Sequence, residues 1–137
     1  MLLTAQSEVE LMEQFEAGTL PLECFHHRDH VHMAFIYLCK WPILEALERF
    51  SSALKRFAAH HGKHQLYHET ITWAYMLLIN ERMARSGKLQ SWEEFEETNG
   101  DLLIWKGGAV QRCYREETLW SDFAKRVFVL PDGLPRI

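Results

Sequence analysis

The chain has 137 residues, of which 47% are hydrophobic and 25% charged, the composition of an ordinary globular protein with one hydrophobic core. Its formal net charge of -4 argues against the strongly basic face of a nucleic-acid-binding protein. The longest apolar runs are too short to span a bilayer, and no signal-peptide pattern opens the chain. Three widely spaced cysteines without a C-x-x-C pair indicate free thiols. We therefore expect a cytoplasmic protein with neither nucleic-acid nor membrane partners.

The spacing of apolar residues is helical in the first half of the chain. Ser7 and Glu10 form a capping-box pattern that opens a first helix, and Gly18 ends that helix. A second helix is predicted over residues 28–41. A third begins at Pro42, which suits a first helical turn, and ends at about residue 62.

The helical period continues in the second half. A fourth helix is predicted over residues 67–85, and Ser91 with Glu94 opens a short fifth helix. A further helical turn is predicted over residues 101–106, and Ser121 opens a last helix. Because no stretch alternates convincingly between apolar and polar residues, the sequence predicts an all-α protein.

The predicted architecture is a compact bundle of five or six helices. No repeat, low-complexity segment or flexible linker divides the sequence. Residues 1–137 are therefore predicted to form a single helical domain.

Four of the eight histidines lie within seven residues, at positions 26, 27, 30 and 32. Imidazole is a common ligand of Zn, Fe, Ni and Cu, and its ordinary pKa lies near neutrality. On a helix, His26, His27 and His30 share the arc of the apolar residues and are predicted to face the core. His32 is predicted to face solvent. The i, i+3 pair His27 and His30 is suitably spaced to converge on one metal ion.

A second polar cluster, at residues 67–70, opens the predicted fourth helix. His68 heads an apolar stripe and is predicted to point inward. Glu69 lies beside apolar neighbours and needs a partner, because an unpaired buried charge is unfavourable. A metal ion, His27 or His30, or an arginine are the candidate partners. Glu69 is equally a candidate for the acceptor that orients one imidazole.

Two kinds of enzyme site follow from these clusters. In the first, His27, His30 and His68 bind one divalent metal, Zn or Fe, and Glu69 is the catalytic residue or a fourth ligand. A metal-bound water would then attack a small-molecule substrate, in a hydrolase or an oxidase. In the second, a histidine and Glu69 perform general acid/base chemistry without metal.

A non-catalytic module is the competing interpretation. Five tryptophans and eight phenylalanines are many for this length, and an exposed group of them would mark a partner or homodimer surface. An enzyme site requires His27, His30 and His68 to meet beside a cavity. An interaction or ligand-binding module instead predicts dispersed histidines that each bond to backbone. Whether the chain is an enzyme is open at this point.

Residues 25–34 match the pattern F-x-H-x-x-H-x-x-x-A, and further matches lie at residues 67–72, 119–124 and 130–132. With these motifs the chain resembles a group of small uncharacterised bacterial all-helical proteins. The resemblance covers nearly the whole chain and implies no activity. It implies a set of signature positions: His27, His30, Tyr67, His68 and Glu69, with Ser121 and Asp132 as caps or pocket walls.

Overall fold

Helices make up most of the chain in the structure, a computed structural model that describes residues 5–133. Five helices in this range have seven residues or more: α1 (Ala5–Ala17), α2 (His27–Lys40), α3 (Ile43–His60), α4 (Glu69–Arg85) and α5 (Trp92–Thr98). Three shorter helices follow: α6 (Ala109–Cys113), α7 (Glu116–Leu119) and α8 (Asp122–Arg126). The all-α prediction is confirmed, and the two helices that the prediction missed, α6 and α7, are each little more than one turn long. Within the described range no helix has both the length and the apolar character needed to cross a membrane.

The first helix ends where the sequence predicts, because Gly18 adopts a backbone conformation that other residues avoid. Its φ is +76°, and the Thr19 N–H donates to the Gln14 carbonyl oxygen at 3.0 Å to close the helix end. A Cβ at this position would lie 2.7 Å from the His60 ring. Both the turn and the approach of α3 therefore require glycine.

The middle of helix α2 is buried on all sides, with seven consecutive buried residues at positions 31–37. It packs against α3 and α4 and also contacts α1. His32 is only 7% exposed, because its Nε2 lies 2.9 Å from a Glu8 carboxylate oxygen of α1 and its ring stacks on Trp92 of α5 at 4.4 Å. The prediction that His32 faces solvent is wrong, since α1 and α5 cover that face.

The prediction that His26 faces the core is also wrong. Its side chain is 77% exposed, because the residue precedes α2 as its N-cap instead of lying within the helix. Its backbone N–H donates to the Asp29 carboxylate at 2.9 Å, a bond typical of the residue that precedes the first turn of a helix.

The segment that follows α8 returns along α4. Thr70, which is completely buried, places its hydroxyl 2.7 Å from the Ala124 carbonyl and 3.0 Å from the Val127 carbonyl. The same oxygen accepts a hydrogen bond from the Val129 N–H at 3.0 Å. These bonds hold the backbone in an extended path, so the last helix ends at Arg126.

Replacing Thr70 with valine should strongly destabilise this connection. Thr70→Val keeps the shape of the side chain but leaves buried backbone groups unpaired, and we expect the free energy of unfolding to fall by roughly 2–3 kcal/mol. Urea unfolding followed by circular dichroism measures this. The control is Thr98→Val, since that hydroxyl is exposed; it donates to the Glu94 carbonyl at 3.3 Å and accepts from Asn99 Nδ2 at 3.2 Å. Equal losses in both variants would contradict the assigned role of Thr70.

Candidate functional site

A cavity of about 80 Å³ lies where α2, α3 and α4 meet. A single buried water needs roughly 10–15 Å³, so this cavity has room for several waters or one small molecule. We call it the histidine pocket. Its lining residues are His27, His30, Val31 and Ala34 of α2, Phe50 and Leu54 of α3, Ile71, Thr72 and Tyr75 of α4, and Trp105.

The first imidazole of the pocket is fixed by a backbone carbonyl. His27 Nε2 lies 3.0 Å from the Leu102 carbonyl oxygen, and because a carbonyl only accepts, Nε2 carries the hydrogen. In the neutral ring, Nδ1 then holds the lone pair. Among the described residues this Nδ1 has no hydrogen-bond partner and is not sealed from solvent. Burial lowers the pKa of His27, and the Leu102 bond partly opposes that effect.

The second imidazole lies against an aromatic ring. The centroids of the His30 and Phe25 rings are 4.0 Å apart. The pKa of His30 is lowered to about 4, chiefly by burial and also by positive charge on His27, while Asp29 and a bond to the Phe25 backbone partly oppose the shift. At neutral pH both imidazoles of the pocket are therefore uncharged, the form that accepts hydrogen bonds and binds metals.

Two aromatic residues of the pocket were not among the predicted site residues. Tyr75 lies with its ring 5.0 Å from that of His27, and its hydroxyl is buried without a hydrogen-bond partner in residues 5–133. Burial raises the pKa of Tyr75, so the hydroxyl stays protonated. The sequence shows Tyr75 only as part of an apolar stripe. Trp105 follows a short turn, where no helical period places its side chain.

His68 lies outside the histidine pocket, at the N-terminus of α4. Its Nδ1 accepts the Ile71 N–H at 3.2 Å, and its Nε2 donates to the Leu119 carbonyl at 2.7 Å. Both ring nitrogens are thus engaged with backbone, and burial lowers the pKa of His68. The structure therefore brings together His27 and His30 but not His68. Among the described residues, no group of three or more His, Cys, Asp or Glu side chains could hold a metal ion.

Glu69 lines a different site, an open cleft of about 460 Å³ beside α8. The Tyr67 hydroxyl donates to Glu69 Oε1 at 2.6 Å, and Lys55 Nζ lies 3.8 Å from the same oxygen. Neither residue is among the partners that the sequence suggested for Glu69, which were a metal ion, His27 or His30, or an arginine. The remaining residues of this cleft are His64, Asp122, Lys125 and Arg126.

The aromatic surface expected of an interaction module is present in part. Near the C-terminal end of the described chain, Trp120 is 54%, Phe123 57% and Leu130 74% exposed. The histidines fit both interpretations, because His27 and His30 share a pocket whereas His68 is bonded to backbone. The homodimer stays a prediction.

No family model, curated protein or solved structure matches the chain. The resemblance to small bacterial proteins therefore stays a prediction. Two of its motif residues have local partners in the structure: Ser121 Oγ accepts the Ala124 N–H at 3.1 Å, and Asp132 accepts the Arg115 N–H at 2.9 Å. Ser121 therefore caps α8, whereas Asp132 bonds to the residue that precedes α7.

The buried imidazoles should make the protein sensitive to acid. Because the pKa of His30 is lowered from 6.5 to about 4 by folding, the unfolded chain binds its proton first as the pH falls. The free energy of unfolding therefore has its full value above about pH 6.5. It falls progressively down to about pH 4, by up to about 3 kcal/mol from this residue. Burial of His27 and His68 acts in the same direction.

Urea unfolding across this pH range measures the loss, and an NMR titration measures the pKa of His30 directly. His30→Asn serves as the control, since its stability should depend less on pH. A His30 pKa near 6.5 in the folded protein would contradict the structure.

Proposed function

We propose that the histidine pocket binds a small molecule and that His27 and His30 contact it directly. One observation carries this proposal: two uncharged imidazoles, one helical turn apart, line one apolar cavity. Ligand sites typically combine apolar walls with a few polar groups in this way.

The chemistry of the pocket favours holding a ligand over exchanging protons with it. A general base works best with a pKa near the working pH, whereas burial lowers the pKa of His30 to about 4. A neutral imidazole nitrogen is nevertheless a good hydrogen-bond acceptor. His27 and His30 are therefore suited to orient a bound molecule.

Filling the cavity should abolish ligand binding. Ala34 is buried and lines the pocket, so Ala34→Leu should occupy the space that a ligand needs. We expect small polar fragments to shift the NMR signals of His27 and His30 in the original protein but not in this variant. Ala59→Leu, at an exposed position of α3, is the matched control.

Circular dichroism of both alanine variants verifies that they fold. Two results would contradict the proposal: that no fragment shifts the two histidine signals, or that a folded Ala34→Leu protein binds fragments unchanged.

A metal-dependent enzyme, a hydrolase or an oxidase of a small molecule, is the second candidate. The N–H···O=C bond from His27 to Leu102 is the kind of contact that orients a metal-binding imidazole, and His27 and His30 have i, i+3 spacing. The fit is limited to two nitrogen ligands, because no carboxylate or thiol from the described part of the chain lines the histidine pocket. A bound Zn or Fe would polarise a water or a substrate in its open positions.

Metal content separates the two candidates. If Zn or Fe(II) binds here, protein purified without a tag should contain it by mass spectrometry, and His27→Ala and His30→Ala should each lose it. His68→Asn is the control and should retain the metal, because Asn preserves an N-cap acceptor and His68 lies outside the histidine pocket. If the unsubstituted protein contains no metal even after incubation with Zn or Fe(II), this candidate is excluded.

A further inference from the structure

We infer that the ligand of the histidine pocket is an uncharged molecule of a few heavy atoms that carries N–H or O–H donors, as a primary amide does. This inference rests on the proposed function and specifies the chemical class of the ligand. It follows from the charge, the hydrogen-bonding capacity and the size of the histidine pocket.

The charge of the pocket excludes an ionic ligand. Among residues 5–133, no Asp, Glu, Lys or Arg lines it. Two carboxylates act on its titratable groups from outside its lining; one is hydrogen-bonded to backbone, and the other is paired with an arginine. Asp29 accepts the His26 N–H at 2.9 Å, and Asp101 bonds to Arg82 at 2.8 Å. An ion entering this pocket would lose hydration without gaining a counter-charge, which is strongly unfavourable.

The hydrogen-bonding capacity of the pocket requires a donor on the ligand. His27 Nδ1 offers a lone pair, as its other nitrogen is bonded to Leu102. The Thr72 hydroxyl donates its hydrogen to the His68 carbonyl at 2.7 Å, so its oxygen can only accept a further bond. The buried hydroxyl of Tyr75, which has no partner in the described residues, is the donor available to a ligand acceptor.

The size of the pocket limits the ligand to a few heavy atoms. Its volume of about 80 Å³ is smaller than the roughly 150 Å³ of an engineered cavity that accepts benzene. Acetamide has four heavy atoms, an NH₂ donor and a carbonyl acceptor, and it suits this space. Its NH₂ group can donate to the acceptors of the pocket, and its carbonyl can accept from the Tyr75 hydroxyl.

Three planar molecules of nearly identical shape test the inference: acetamide, which is neutral, acetate, which is anionic, and acetamidinium, which is cationic. Each is titrated into the full chain at about pH 7.5, and the side-chain NMR signals of the histidines are followed. The exposed His60 and His64 report non-specific effects. We expect acetamide to shift His27 and His30 selectively and each charged probe to bind at least about tenfold more weakly.

The outcomes separate this inference from the proposed function. If acetate or acetamidinium binds as tightly as acetamide, the inference is overturned while the histidine pocket remains a ligand site. If none of the three shifts His27 or His30, the inference is also overturned, and the fragment titration of Ala34→Leu and Ala59→Leu decides the proposed function. Acetamide binding should disappear in Ala34→Leu and persist in Ala59→Leu.

Discussion

The enclosure of the middle of α2 is the constraint on which the rest of this structure depends. Its residues 31–37 are all buried, so this part of the helix has no face that water can solvate. Every polar side chain near this segment must therefore find a partner inside the protein or lie at its end. His32 bonds to Glu8, and His26 precedes the helix and is exposed to solvent. His27 and His30 lie in the first turn of α2 and form a polar end beside its buried, apolar middle.

An aromatic cluster sets the environment of this polar end. The ring centroid of Phe25 lies 5.2 Å from that of Phe15 and 4.9 Å from that of Phe57. The His30 ring packs against Phe25 with a centroid distance of 4.0 Å. An imidazolium placed here would lose its hydration, which is why burial is the main cause of the low pKa of His30. The same packing that stabilises the core thus keeps the imidazole in its neutral, ligand-accepting form.

The two halves of the Tyr67–Thr72 motif serve different purposes. His68 joins α4 to α7 through the Leu119 carbonyl, and Thr70 joins α4 to the chain after α8. Ile71 and Thr72 reach the histidine pocket. Glu69 faces the other way, into an open cleft with Tyr67 and Lys55. The first turn of α4 therefore holds the C-terminal part of the fold beside the histidine pocket.

The sequence by itself determined the elements whose causes are local. The helical spacing of apolar residues, the stop at Gly18 and the capping box of Ser91 and Glu94 each act within a few residues, and the structure contains all three. The i, i+3 spacing of His27 and His30 likewise sufficed to predict that these two would share one site.

Only the tertiary structure decided which further residues join that site. His27 bonds to a carbonyl 75 residues away and His68 to one 51 residues away, and because every residue has a backbone carbonyl, no side-chain pattern marks these partners. Whether His32 is covered depends on how α1 and α5 pack on α2, a long-range property that the helical period does not contain. The separation of His68 and Glu69 from the histidine pocket has the same origin, since the contacts that place them come from α3, α7 and the end of the chain.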